Sequence, residues 1–125
     1  MASDNLHHIN SLSDLQSLFA STTYVAVDFY ADWCGPCKAI APGYAALAKQ
    51  HGAPGILAFA KVNVDVAQDV AQAYGITAMP TFLFFKEGRK VAVNGEQAIR
   101  GADVRALTAA AEKLGGLAKK RMEAS

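Results

Sequence analysis

Residues Tyr24–Tyr30 read YVAVDFY, a nearly unbroken apolar run rich in β-branched and aromatic side chains, and after Ala31 and Asp32 they are followed by WCGPC. A strand of that kind is buried on both faces. The chain around it must therefore supply cover above and below the sheet, which points to a layered α/β domain.

The hydrophobic period elsewhere supplies that cover. Leu6–Ile9 reads as a short edge strand. Ser11 can cap a helix over 11–20 with Leu12, Leu15, Leu18 and Phe19 on one face. From Pro36 to residue 50, Ile40, Tyr44, Leu47 and Ala48 recur at helical spacing. Pro36 lies in the first turn, where a missing N–H costs little, and Pro42 lies inside and predicts a kink. Residues 56–64 form a second buried strand. Asp65 is placed to cap a short helix carrying Val70, Ala73 and Tyr74 that stops at Gly75. Residues 81–85 form a third strand, the turn Lys86-Glu87-Gly88-Arg89 leads to a fourth around Val91 and Val93, and Val104, Leu107 and Leu114 mark a closing helix. The predicted order is βαβαβαββα: a mixed, mostly parallel central sheet flanked by four helices, with the last two strands as an antiparallel edge. One domain over residues 1–115 accounts for it. The tail 116–125, with a basic cluster and no apolar periodicity, is expected to be disordered or the start of a linker.

Charge excludes some partners. Twelve Lys and Arg against eleven Asp and Glu leave +1 on 125 residues. No field of one sign draws the chain to nucleic acid or to an anionic membrane. No segment approaches the ~20 apolar residues of a membrane span, and the N-terminus lacks a basic stretch followed by an apolar one. A cytosolic protein of a reducing compartment is expected, where a close cysteine pair is catalytic or metal-binding more often than structural.

Cys34 and Cys37 are the only cysteines. Zinc needs about four ligands, and His7, His8 and His51 lie on a terminal strand and a helix end, so no metal site is expected. Gly35-Pro36 at a strand-to-helix turn argues for accessible rather than buried thiols. Cys34 at a helix N-terminus is set up as a thiolate, and Cys37, one turn on, can close a ring with it. Cys34 then attacks a substrate disulfide and Cys37 resolves the mixed disulfide. Pro36 offers Cys34 neither an N–H nor a cation, which favours a reductant over an oxidant.

Two further features bear on that chemistry. Asp28, a carboxylate within an apolar strand, needs a partner or a raised pKa, or else faces outward. Its functional reading is proton acceptor for Cys37, with Lys61 on the next strand as electrostatic partner. Met79-Pro80 precedes the strand TFLFF. The residues alone leave its peptide bond trans, the commoner state.

The segments DFYADWCGPC, AKVNVD, GITAMPTFLFFKEG and RGAD, in this order and spacing, resemble the thioredoxin family from about Leu6 to Leu114. The resemblance implies a thioredoxin fold, a Cys34–Cys37 disulfide with Cys34 as nucleophile, a buried Asp28 beside Lys61, and a cis Pro80 packed against the cysteines. It implies that the Met79 backbone pairs with substrate like an added strand while Trp33, Gly35, Pro36 and Gly101 form an apolar rim. It also implies a monomeric protein-disulfide reductase without a bound cofactor, supplied with electrons by an NADPH-dependent thioredoxin reductase and acting on disulfide-containing client proteins. Tyr30 departs from the family pattern, with an expected effect on packing only. Arg100 occupies a rim position that is often apolar, which bears on the choice of client. Two other classes are an oxidase or isomerase of a secretory compartment, which predicts a leader and a cation or aromatic residue between the cysteines, and an interaction module serving one tethered client.

Overall fold

The computed structural model describes residues 6–124. Six strands and four helices follow in the order β1 Leu6–Ile9, α1 Leu12–Ser21, β2 Tyr24–Tyr30, α2 Gly35–His51, β3 Leu57–Asn63, α3 Gln68–Ala73, β4 Thr81–Lys86, β5 Arg89–Val91, β6 Ile99–Arg100 and α4 Val104–Ala124. The sheet order is β1-β3-β2-β4-β5, with β6 also paired to β4.

β1, β3 and β2 run parallel, whereas β4 is antiparallel to β2 and to both β5 and β6. The sheet is mixed but not mostly parallel, and the antiparallel part begins at its centre. After α3 and the loop to Pro80 the chain enters β4 from the end at which β3 left, Thr81 and Val62 both lying opposite Phe29. The sixth strand escaped sequence reading because two residues carry no periodicity.

The period-2 alternation of β2 splits the core. Val25, Val27 and Phe29 face Leu15 and Leu18 of α1 and Val70 of α3. Tyr24 and Ala26 face Ile40, Tyr44, Leu47 and Ala48 of α2 and Leu107, Ala110, Ala111 and Leu114 of α4. Ser11 caps α1 as expected, its Oγ accepting from the Asp14 N–H at 3.1 Å. Asp103 does the same for α4, accepting from the Ala106 N–H at 3.0 Å.

Two expectations are corrected. Asp65 does not cap α3, whose N-cap is Ala67 with no side-chain bond. The tail is not irregular: α4 continues to Ala124, with Ala118 buried and Leu117 packed on the core. The helical stripe 107, 110, 111, 114, 118 persists through small residues, which a search for large apolar side chains passes over. Arg121 also ties the end of α4 to Glu87 in the β4–β5 turn, with 3.7 Å between Nη2 and Oε2.

Candidate active site

β2 ends at Tyr30 and α2 begins at Gly35, so the intervening turn sets Cys34 as the N-cap of α2. Cys34 Sγ accepts the Cys37 N–H at 3.1 Å, a bond that any sulfur anion at this position would keep. Cys34 and Cys37 are joined in a disulfide with Cα atoms 5.3 Å apart. Contrary to the sequence expectation of open access, both are enclosed, at 5% and 4% exposure. Ala31, Tyr30, Val64 and Met79 pack around them. Gly35 and Pro36 are exposed, so the approach lies over the first turn of α2.

The second wall is the loop before β4. The Met79–Pro80 bond is cis, not trans as the residues alone suggested. Cys34 Sγ lies 3.7 Å from the Met79 carbonyl oxygen. Gly101 donates its N–H to the Pro80 carbonyl at 2.8 Å and adopts φ 97°, a conformation glycine tolerates and L side chains rarely reach. Of the expected rim, Met79 packs against the redox pair, Gly101 is bonded to the next residue, Pro80, and Trp33, Gly35 and Pro36 adjoin the cysteines along the chain.

Trp33 is 69% exposed yet held. Its Nε1 donates to Asp65 Oδ2 at 2.9 Å, which is where the carboxylate expected to cap α3 has gone. Asn63 completes the tether: its Oδ1 accepts from the Asp65 N–H at 3.0 Å and its Nδ2 donates to Asp32 Oδ2 at 3.3 Å. The loops after β2 and β3 are thus laced together beside the cysteines.

Asp28 lies on the α2 face of the sheet, 1% exposed, with Oδ1 lacking any hydrogen-bond donor. Burial lifts its pKa from 3.8 to about 7, against the pull of the Lys61 charge. Asp28 and Lys61 are register partners across β2 and β3. Lys61 does not close on the carboxylate; its Nζ sits 4.4 Å over the ring of Tyr30. Tyr30 therefore does more than pack, because it holds the one cation that tempers Asp28. Tyr44, an apolar helix position by its spacing, also carries a polar atom into the core. Its hydroxyl shares its proton between the carbonyls of Ala26 and Ala60, at 3.0 and 2.9 Å. The signal was available: a tyrosine predicted into a core must find an acceptor. No group of three or more His, Cys, Asp or Glu among the described residues could hold a metal.

Residues 8–110 match the family model for thioredoxin. The chain belongs to the thioredoxin family. It is 68% identical over 117 residues to the thioredoxin-like protein of Fusarium culmorum, covering 94% of this chain and 97% of that one. It is 60% identical over 123 residues to the thioredoxin of Neurospora crassa, covering 98% and 97%. Among solved structures, Malassezia sympodialis thioredoxin superposes with a TM-score of 0.77 at 36% identity, covering 89% of this chain and 94% of that one. Oxidised mitochondrial thioredoxin 3 of Saccharomyces cerevisiae superposes at 0.72 with 31% identity, covering 86% and 93%. The fold is that of thioredoxin, and the Cys34–Cys37 pair makes this chain a thioredoxin-type dithiol-disulfide oxidoreductase. No helix among the described residues is long and apolar enough to cross a membrane.

Proposed function

We propose that the protein is a general protein-disulfide reductase of the cytoplasm, acting as a monomer and re-reduced by an NADPH-dependent thioredoxin reductase. The observation that carries this reading is the N-cap sulfur: Cys34 receives the Cys37 N–H at the head of α2, beside Met79 and the exposed Trp33. The Cys34 thiolate attacks one sulfur of a client disulfide, forms the mixed disulfide, and the second client sulfur leaves as a thiolate. Asp28 accepts the proton of Cys37, whose thiolate attacks Cys34 Sγ. The client is released with both sulfurs reduced, and the Cys34–Cys37 disulfide remains to take two electrons from the reductase. Pro36 leaves the reduced pair without an added cation, which supports the reducing direction. A structural neighbour from yeast is described in connection with the resolution of a 1-Cys peroxiredoxin by glutathione and thioredoxin systems, a precedent for a peroxidase client.

The test is NADPH consumption with insulin as disulfide substrate. Consumption that requires both a thioredoxin reductase and this protein supports the general carrier. Insulin reduction with dithiothreitol but not through the reductase overturns it and points to a dedicated module with the same chemistry.

A further inference from the structure

On the sheet face opposite α2, a small cleft opens behind the cis-proline loop. Tyr74, Thr77, Thr81, Lys90 and Arg100 contribute to its lining, and its volume is about 60 Å³. That is room for about two water molecules, or for one carboxylate and little else.

The sheet explains why two cations meet there. Arg100 of β6 stands opposite Thr81 and Lys90 of β5 opposite Phe85, along the outer edge of β4. Thr81 and Phe85 share a face by the period-2 rule, so both cations project to that face. No carboxylate lines the cleft, and among the described residues neither cation takes part in an ion pair. The Thr81 hydroxyl is committed to the Ala78 carbonyl at 2.7 Å. Lys90 and Arg100, with the hydroxyls of Tyr74 and Thr77, are left to face the opening.

The cleft adjoins the cis-proline loop through its lining residues. Thr81 follows Pro80 directly, Arg100 precedes Gly101, and the Gly101 N–H bonds the Pro80 carbonyl. A polypeptide lying along Met79 and Pro80 toward Cys34 would therefore run within one residue of Thr81, which lines the cleft.

We propose that this cleft is a subsite for one anionic group, the aspartate or glutamate side chain of a client, and that Arg100 and Lys90 select clients carrying an acid close to the reactive disulfide. The proposal rests on the disulfide-reductase reading above. A guanidinium presents a planar fork of donors that matches two carboxylate oxygens, and Lys90 adds a point charge. Partial enclosure shields the pair from salt more than an open surface does.

The test uses cystine peptides identical except for aspartate or asparagine at each residue flanking the half-cystine, with kcat/KM measured for reduction by the full chain under dithiothreitol recycling. One placement of aspartate is expected to be preferred by roughly three- to tenfold at low ionic strength, the range of a partly shielded ion pair. In the Lys90→Glu, Arg100→Glu double variant the ratio should invert, with lysine preferred at the same placement. Both cations are exposed, so the variant is expected to fold, and circular dichroism checks it. Equal rates for aspartate and asparagine at every placement overturn the subsite while leaving the reductase reading intact. No reduction of any peptide overturns the reductase reading itself. If inorganic phosphate at matched ionic strength shifts the Thr77 and Arg100 amide resonances while the peptides show no preference, the cleft serves a free oxyanion and client selection is overturned.

Discussion

Gly115 of α4 lies directly against the imidazole of His51 at the end of α2, so close that a Cβ at 115 would overlap His51 Nδ1. His51 Nε2 is buried without a hydrogen-bond partner, so the ring is wedged between helices rather than anchored by a bond. The neighbouring Gly116 has nothing within 4 Å of its hypothetical Cβ. Two consecutive glycines in one helix therefore differ in kind: one permits helix packing, the other only weakens the helix.

Opposite effects follow from the same substitution. Gly115→Ala is expected to destabilise the protein by about 1–3 kcal/mol through overpacking against His51, despite alanine's higher helix propensity. Gly116→Ala should stabilise by about 0.5–1 kcal/mol. Urea unfolding of the two variants decides it, and equal effects would refute the close approach.

The raised pKa of Asp28 makes stability depend on pH. In the folded, oxidised protein the carboxyl titrates near 7, whereas unfolded it titrates near 3.8. Between these values the native state holds a proton that the unfolded state has released. Stability therefore falls as pH rises from about 4 to about 7 and levels off above. The contribution is on the order of 4 kcal/mol, and Asp28→Asn should abolish that slope in denaturant titrations.

The same variant bears on chemistry. Asp28→Asn is expected to slow insulin turnover by slowing deprotonation of Cys37, most clearly from about pH 7 upward, where the wild-type carboxyl ionises. Turnover unchanged from pH 6 to 9 would remove the carboxylate from the second exchange step.

Roles within the cysteine pair separate by trapping. Cys37→Ser should leave the client bound to Cys34 as a stable mixed disulfide, because no second thiol remains to expel it. Mass spectrometry of the variant with a disulfide peptide is expected to show one adduct, on Cys34. An unmodified protein would reverse the assignment.

The bond from Trp33 to Asp65 predicts a binding effect without a chemical one. Asp65→Ala frees the indole and should raise KM for a protein disulfide by about two- to fivefold with kcat little changed, the cost of one hydrogen bond. Asp65→Asn keeps an acceptor and should restore KM. Trp33 is the sole tryptophan, so fluorescence anisotropy reports its release directly.

Much of this site was legible because its signals are local. WCGPC after a buried strand places a sulfur at a helix N-terminus whatever surrounds it, and Cys34 is the N-cap of α2. A carboxylate inside YVAVDFY has to be buried or turned outward, and its alternation with Val27 and Phe29 puts it on the face opposite theirs, under α2. The spans of α1, β2, β3 and β4 follow period and caps closely, including the full extent of β2. The residues alone did not determine the Met79–Pro80 isomer; only the family pattern pointed to cis.

What the tertiary structure decided is what depends on partners distant in sequence. Asp65 had two uses, capping a helix or holding Trp33, and only the lacing of two loops selected the second. Lys61 could have closed on Asp28 but rests over Tyr30. The helix after Leu114 survives its glycines because His51, far away in the chain, occupies the space a side chain would need, and Arg121 finds Glu87. The sequence by itself determined the order of every element but β6, and the redox chemistry, since periodicity, caps and cysteine spacing act within a turn or a strand. Packing decided the antiparallel centre of the sheet, the enclosure of both sulfurs and the free cations beside Thr81, because these arise only when segments far apart in the chain compete for the same space and the same hydrogen bonds.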